Sequence, residues 1–247
     1  MEESRRVNGN KTAEDLVREY YRELYNPKIN TKSETPNPKR VRKKAERATS
    51  VQAVNLSDYL LLPSHDIYVA KERSLKGNNW HNTHKEAHKQ KARMLTLKEF
   101  ADFLLLLRSG KAEDGLGNKI AKAELDNLYL DITEVRDPYR AEWLDAKFEV
   151  INGVLNLNYL HRISRKVSIP RYSVPLETCV MKNCKVELSS FNNQGIPTKE
   201  GTDFNYWAPT KGRVARFIAD AGGADLDCDG YPDSSYGGLG VRLVREK

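Results

Sequence analysis

The sequence predicts an α+β protein, and three observations carry that class. One segment, "MLTLKEFADFLLLLRSGK", sets Leu97, Phe100, Phe103, Leu104 and Leu107 at the spacing of a helix buried along one side. A second, "KFEVINGVLNLNYL", alternates apolar and polar residues on both sides of Asn152-Gly153, the dipeptide of a type I′ hairpin turn. From Ser164 onward, periodicity gives way to stretches rich in Pro, Gly, Asn and Ser, in which Trp207, Phe217, Leu226, Leu239 and Val241 supply apolar anchors. That texture predicts long ordered loops with a functional role.

Taken in chain order, "KTAEDLVREYYRELY" (Lys11 to Tyr25) spaces Leu16, Tyr20 and Leu24 as a short amphipathic helix, with Thr12 as its N-cap. Pro27, Pro36 and Pro38 then break up a polar stretch that reads as linker. Residues 1–50 are therefore expected to form a polar and basic N-terminal helix and linker, and residues 51–247 a folded domain. Within that domain "IYVA" favours a strand, Thr96 starts the clearest helix and Gly110 stops it. The region from Leu125 to Ile163 reads as alternating apolar and polar residues about the Asn152-Gly153 turn, and "RVARFIA" and "GVRLV" are short apolar pieces near the end.

Composition narrows the class further. A hydrophobic share of 39%, a charged share of 30% and a mean hydropathy of -0.69 imply a large solvated surface around a core that 247 residues can readily form. The net charge of +7 permits polyanion binding, and it is concentrated toward the front. Lys39 to Arg47 holds six basic residues in nine positions, which allows a salt-dependent contact with nucleic acid as readily as a solvated tail. Cys179, Cys184 and Cys228 are too few for a disulfide framework. No secretory signal is visible in "MEESRRVNGNKTAEDL" and no apolar run approaches the roughly 18 residues of a membrane span, so a soluble, cytoplasmic product is expected.

Two clusters resemble metal sites. Asp225, Asp227 and Asp229 alternate ahead of Gly230, with Asp233 at the ninth position, as in a calcium loop, but the twelfth position is Tyr236 where a bidentate acid belongs. His81, His84 and His88 in "WHNTHKEAH" share one side of a helix, yet Lys85, Lys89 and Lys91 oppose a cation there. Neither is assigned as a metal site, and Cys179 and Cys184 lack a second pair at zinc spacing. A phosphate-cradling glycine loop, a nucleophile elbow and a dinucleotide fingerprint are not found, so no catalytic residue or cofactor is assigned.

The C-terminal segment "FNYWAPTKGRVARFIADAGGADLDCDGYPDSSYGGLGVRLVREK" resembles the variable region of diversity-generating retroelement target proteins, particularly archaeal ones. "MLTLKEFADFLLLL" and "EVRDPYRAEWLDAKFEVINGVLNLNY" look like the body of the same family, and the likeness spans residues 51–247, with "VARF…ADLDC…LGVR" its most specific element. The resemblance implies a C-type lectin-like fold of the formylglycine-generating-enzyme type, with short antiparallel sheets, a few helices and long ordered loops, and a variable region at about 204–240. It implies a ligand-binding protein, not an enzyme, since the paired active-site cysteines of that chemistry have no evident equivalents and a fold does not carry an activity.

In that family a reverse transcriptase miscopies template adenines, so mutable Asn codons become Tyr, Asp, Ser, Gly, Ala and others, but never Lys, Glu, Gln, Met or Trp. Those five types are missing between Phe217 and Gly238. The display positions implied are Asn205, Tyr206, Asp220, Ala221, Gly222, Gly223, Asp229, Gly230, Tyr231, Asp233, Ser234, Ser235, Tyr236, Gly237 and Gly238. Val214, Ala215, Phe217, Leu226, Cys228, Leu239 and Val241 would be buried anchors, with Asp225 and Asp227 in the scaffold. The partner would be a protein or surface ligand gripped by Tyr206, Tyr231 and Tyr236. A nucleic-acid-associated basic protein and a calcium-stabilised structural module are the competing readings.

Overall fold

The computed structural model describes residues 54–164 and 167–247. After a single 3₁₀ turn at Leu56–Asp58 the chain runs β1 (Tyr59–Leu62), β2 (Ile67–Ser74), α1 (Trp80–Lys89), β3 (Arg93–Met94), α2 (Leu97–Ser109) and α3 (Lys122–Thr133). There follow β4 (Arg140–Ile151), β5 (Val154–Tyr159), β6 (Arg162–Ser164), β7 (Val167–Ile169), β8 (Tyr172–Pro175) and β9 (Cys184–Val186). The last four strands are β10 (Phe204–Trp207), β11 (Val214–Asp220), β12 (Gly223–Gly230) and β13 (Leu239–Glu246). The N-terminal helix expected at Lys11 to Tyr25 and the basic run Lys39 to Arg47 lie outside the described residues.

Among the described residues the fold is mixed α+β, with three helices and an eleven-stranded sheet. The strand order is β1-β2-β13-β4-β11-β12-β10-β9, with β3 on β13, β5 on β4 and β8 on β5. β6 and β7 form a separate ribbon. The expectation of short antiparallel sheets is corrected in one respect: the sheet is large, and β4/β13 and β10/β12 pair in parallel. Parallel neighbours need long crossovers, and here the chain between β4 and β13 supplies β5 and β8 to β12 of the sheet.

The predicted helix and hairpin both form as their residues dictate. Thr96 caps α2 and exchanges bonds with Glu99, a capping box that satisfies donors at both positions, and Gly110 ends the helix in the left-handed region at φ 67°. Its five stripe residues are all buried. Asn152 and Gly153 both have positive φ, at 51° and 79°, the two-residue turn that sets Ile151 opposite Val154.

Two parts of the sequence reading need correction. Lys122–Thr133 is a helix, because Leu125, Leu128, Tyr129 and Ile132 follow the helical period and meet the core together. The segment after Ser164 is not mainly loop: it contributes seven strands, β7 to β13, and a long ordered irregular stretch survives only around β9, between β8 and β10. β12 escaped notice because Asp225, Asp227 and Asp229 occupy its outward face, and Asp is a poor strand former. The inward residues Ala224, Leu226 and Cys228 alternate with them, as a strand requires.

The sheet separates two cores. On one side α2 and α3 pack with Leu144, Phe148, Phe217 and Leu226, and the Phe100 and Phe217 rings meet at 5.1 Å. On the other, Trp80 and Ala87 of α1 pack with Trp143, Val214, Leu239, Val241 and Leu243. Buried charges cross-link the first layer at its edge: Glu142 lies 3.2 Å from both Arg140 and Arg242, and Asp131 of α3 lies 3.2 Å from the same two guanidiniums. Breaking such a cluster leaves an uncompensated buried charge, so it fixes how α3 sits on β4 and β13.

This packing yields a prediction. Phe103→Ala, at a fully buried stripe position, is expected to cost about 3–5 kcal/mol, whereas Leu105→Ala on the exposed side of the same helix should stay within about 0.5 kcal/mol. Urea unfolding of the two variants measures both.

Candidate functional site

The candidate site is the outward surface made by β10, β11, β12 and the Tyr231–Gly238 loop. Directly opposed residues on neighbouring strands share a face. The register sets Asn205 beside Asp225, Trp207 beside Asp227, Arg216 beside Asp227 and Ile218 beside Asp225. This outward set lies on the reverse of the strands from Phe204, Tyr206, Phe217, Leu226 and Cys228, which face the α2 core. All seven residues expected as anchors, Val214, Ala215, Phe217, Leu226, Cys228, Leu239 and Val241, are buried.

Most of the expected display residues reach solvent. Tyr231 and Tyr236 are 60% and 57% exposed, Ala221, Gly222, Asp233, Ser235 and Gly237 are exposed, and Asn205, Asp220, Asp229 and Ser234 are half-buried on the surface. Four positions depart from the expectation. Tyr206 is only 1% exposed, with its hydroxyl donating to the Val180 carbonyl at 3.2 Å, because alternation in "FNYW" turns Phe204 and Tyr206 inward together. Its place on the face belongs to Trp207, 47% exposed, which the sequence reading missed although the same parity rule identifies it.

Gly230 is buried, and a Cβ there would lie 2.8 Å from the Val214 carbonyl oxygen. A Cβ on Gly238 would meet the Tyr139 carbonyl oxygen at 2.5 Å. Gly223 has a φ of 122°, a conformation that favours glycine. These three glycines serve backbone geometry and cannot carry varied side chains.

The loop is held through its main chain. The Trp80 N–H at the start of α1 donates to the Pro232 carbonyl at 2.9 Å, and the Gly77 N–H donates to the Leu239 carbonyl at 2.9 Å. The Gly238 carbonyl accepts from the Arg73 guanidinium at 2.7 Å and from the Ala141 N–H at 3.0 Å. Turns within the loop add Ser234 N–H to Tyr231 carbonyl and Leu239 N–H to Tyr236 carbonyl. None of these bonds uses a display side chain.

Electrostatics shape the floor of the face. Asp227 accepts from Arg216 Nε at 2.8 Å and from the Asp229 N–H at 2.8 Å. The three aspartates that resemble a calcium loop in sequence stand on a strand, and Asp227 is paired with a guanidinium. Burial pushes the Asp225 carboxyl above its ordinary range, and Asp220 and Asp227 add to the push while Asn205 and Trp207 oppose it. Arg213 lies 3.3 Å above the Tyr231 ring and 3.3 Å from Asp229, so one framework cation orders two display residues.

The histidine face divides on folding. His88 is exposed, His81 is half-buried, and only His84 turns fully inward. There it meets Asp145 of β4 and His161 between β5 and β6, both buried. Burial pushes the His84 imidazole down to about 4, so it is neutral at physiological pH. Burial alone would raise the Asp145 carboxyl, but it is held below its ordinary range. His84 and the hydrogen bonds from His161 oppose the burial and hold it there. Asp145 and His161 carried no signal in the sequence, since they come from segments that only the fold unites with α1. Cys179, Cys184 and Cys228 are free thiols.

Compared with known protein families, curated proteins and solved structures, the chain has no match. No helix among the described residues is long and apolar enough to cross a membrane.

Two predictions follow from this geometry. Gly238→Ala should destabilise the protein by about 1–3 kcal/mol through collision with Tyr139, while Gly237→Ala, with open space around it, should be nearly neutral; thermal melting distinguishes them. Asp225→Asn should stabilise the fold at neutral pH. The folded state holds the Asp225 proton more tightly than the unfolded chain, so the wild type loses stability as pH rises from 3.8 through the raised folded value. The variant's advantage is therefore absent below that window and complete above it, as read by urea unfolding from about pH 3 to about pH 7.

Proposed function

We propose that this chain is a ligand-binding protein that displays hypervariable residues on a C-type lectin-like scaffold and is diversified by a retroelement reverse transcriptase. One observation carries the reading: Tyr231, Asp233, Ser235, Tyr236 and Gly237 project from a loop whose hydrogen bonds to the framework are all made by its main chain. A surface meant to accept many substitutions needs that separation of support from display. The missing Lys, Glu, Gln, Met and Trp between Phe217 and Gly238 supports the same reading.

The display set in this proposal is Asn205, Asp220, Ala221, Gly222, Asp229, Tyr231, Asp233, Ser234, Ser235, Tyr236 and Gly237. Trp207 joins them as a fixed contact. Tyr, Ser, Gly and Asp give a binding surface rigid amphipathic rings for contact area and small residues for fit, the chemistry of antibody loops. A protein or cell-surface ligand is the partner class this favours. Contact between nucleic acid and Lys39 to Arg47 is a separate proposal that the face neither needs nor opposes.

Combined Tyr231→Ala and Tyr236→Ala substitution should cost less than about 1 kcal/mol of stability, since only the Arg213 stack and the edge contact with Tyr139 are lost. Randomising Tyr231, Asp233, Ser234, Ser235 and Tyr236 together should leave most clones folded in a protease-resistance screen. A library that mostly unfolds would defeat the proposal. The genomic counterpart is a nearby template copy that differs from the coding segment at adenines only, beside a reverse transcriptase gene.

A further inference from the structure

We infer that His84, Asp145 and His161 form a binding site for a divalent transition-metal ion of the zinc class. The three residues are 3%, 0% and 8% exposed, and their donor atoms lie within 4.8 Å of one another. Two imidazoles and one carboxylate are the ligand types such ions take, and they exclude the all-oxygen preference of calcium or magnesium. α1 supplies His84, β4 supplies Asp145 and the β5–β6 junction supplies His161, so one ion would tie three separate elements.

The spacing of the groups suits a shared partner. His84 Nε2 has no hydrogen-bond partner and lies 3.7 Å from Asp145 Oδ1, too long for a hydrogen bond and close to the roughly 3.3 Å edge of a tetrahedron with 2.0–2.1 Å bonds. Among the described residues, the only side chains that pair closely with Asp145 are the two histidines. A fully buried carboxylate with no lysine or arginine beside it calls for another positive charge. His161 Nδ1–H donates to Asp145 Oδ1 at 2.5 Å; the ion would replace that proton, which leaves to solvent, and open the pair by slightly less than 1 Å.

Asp145 Oδ2 is already oriented by the His161 backbone N–H at 2.9 Å, the kind of outer bond that fixes a metal-binding carboxylate. Trp80 walls the site: its ring stands edge-on to His84 at 4.2 Å and to His161 at 4.9 Å, and its Nε1–H is fixed on the Leu144 carbonyl at 2.9 Å. The same residue's backbone N–H holds the Pro232 carbonyl. The ion would therefore brace α1 where it supports the Tyr231–Gly238 loop, a structural role independent of what that loop binds.

The test is a Co²⁺ titration of the untagged, chelator-treated chain. The expected result is uptake of about one equivalent, with tetrahedral visible absorption that Zn²⁺ abolishes and a rise in melting temperature. His84→Gln and His161→Gln should each lose the absorption, and His88→Gln, on the exposed side of the same helix, should keep it. Imidazole ¹⁵N spectra of the wild type with added Zn²⁺ need no variant: His84 and His161 must shift while His88 stays. No stoichiometric uptake, absorption that survives His84→Gln, or Zn²⁺ shifts confined to other histidines would each overturn the site.

Discussion

The placement of β4 is the constraint on which the rest of the structure depends. Its first seven residues are buried on both faces, while β11 and β13 bond its two edges. Because side chains alternate, this position assigns Glu142, Leu144 and Phe148 to one core and Trp143 and Asp145 to the other. A slip of one residue would drive Trp143 against α2 and α3 and put Glu142 beside Trp80, with no partner for its charge. The pairing of Glu142 with Arg140 and Arg242 therefore acts as a lock on register, and every outward position on β11 and β12 inherits its direction from that lock.

From β4 outward, the molecule separates what must stay from what can change. The inner side of β10, β11 and β12 is a dense apolar layer, and the irregularity in β11 between Val214 and Arg216 turns Arg216 toward Asp227 on the outer side. The adjoining loop adds side chains but few contacts of its own. Its position comes from Arg73, Ala141, Gly77 and Trp80, none of which lies on the outer surface of the loop. Substitution there alters surface chemistry far more than it alters packing.

How much was legible in the sequence follows from where each signal resides. α2 was readable because its stripe, capping box and terminal glycine are local and agree, and the β4–β5 turn because Asn152-Gly153 specifies its own backbone. β12 was obscured by Asp225, Asp227 and Asp229, whose placement is stabilised by neighbours on other strands that no local pattern records. α3 was hidden by reading Leu125 to Ile132 with the wrong period. In "FNYW" the parity was available, but the resemblance to display positions outweighed it at Tyr206. The meeting of His84 with Asp145 and His161 lay beyond any sequence pattern, since it exists only once β4 is seated.

The Arg213 guanidinium, here stacked over Tyr231, and the outward indole of Trp207 are a cation and a ring that the framework itself presents on the surface. Under the proposed function neither group changes: tryptophan is not reachable by adenine miscopying, and Arg213 lies outside the display set. If the proposed diversification holds, variants of this chain would share a baseline attraction for flat π-rich or anionic groups before any changing residue contributes. Selection among them would then act on discrimination, with weak adhesion already provided by the frame.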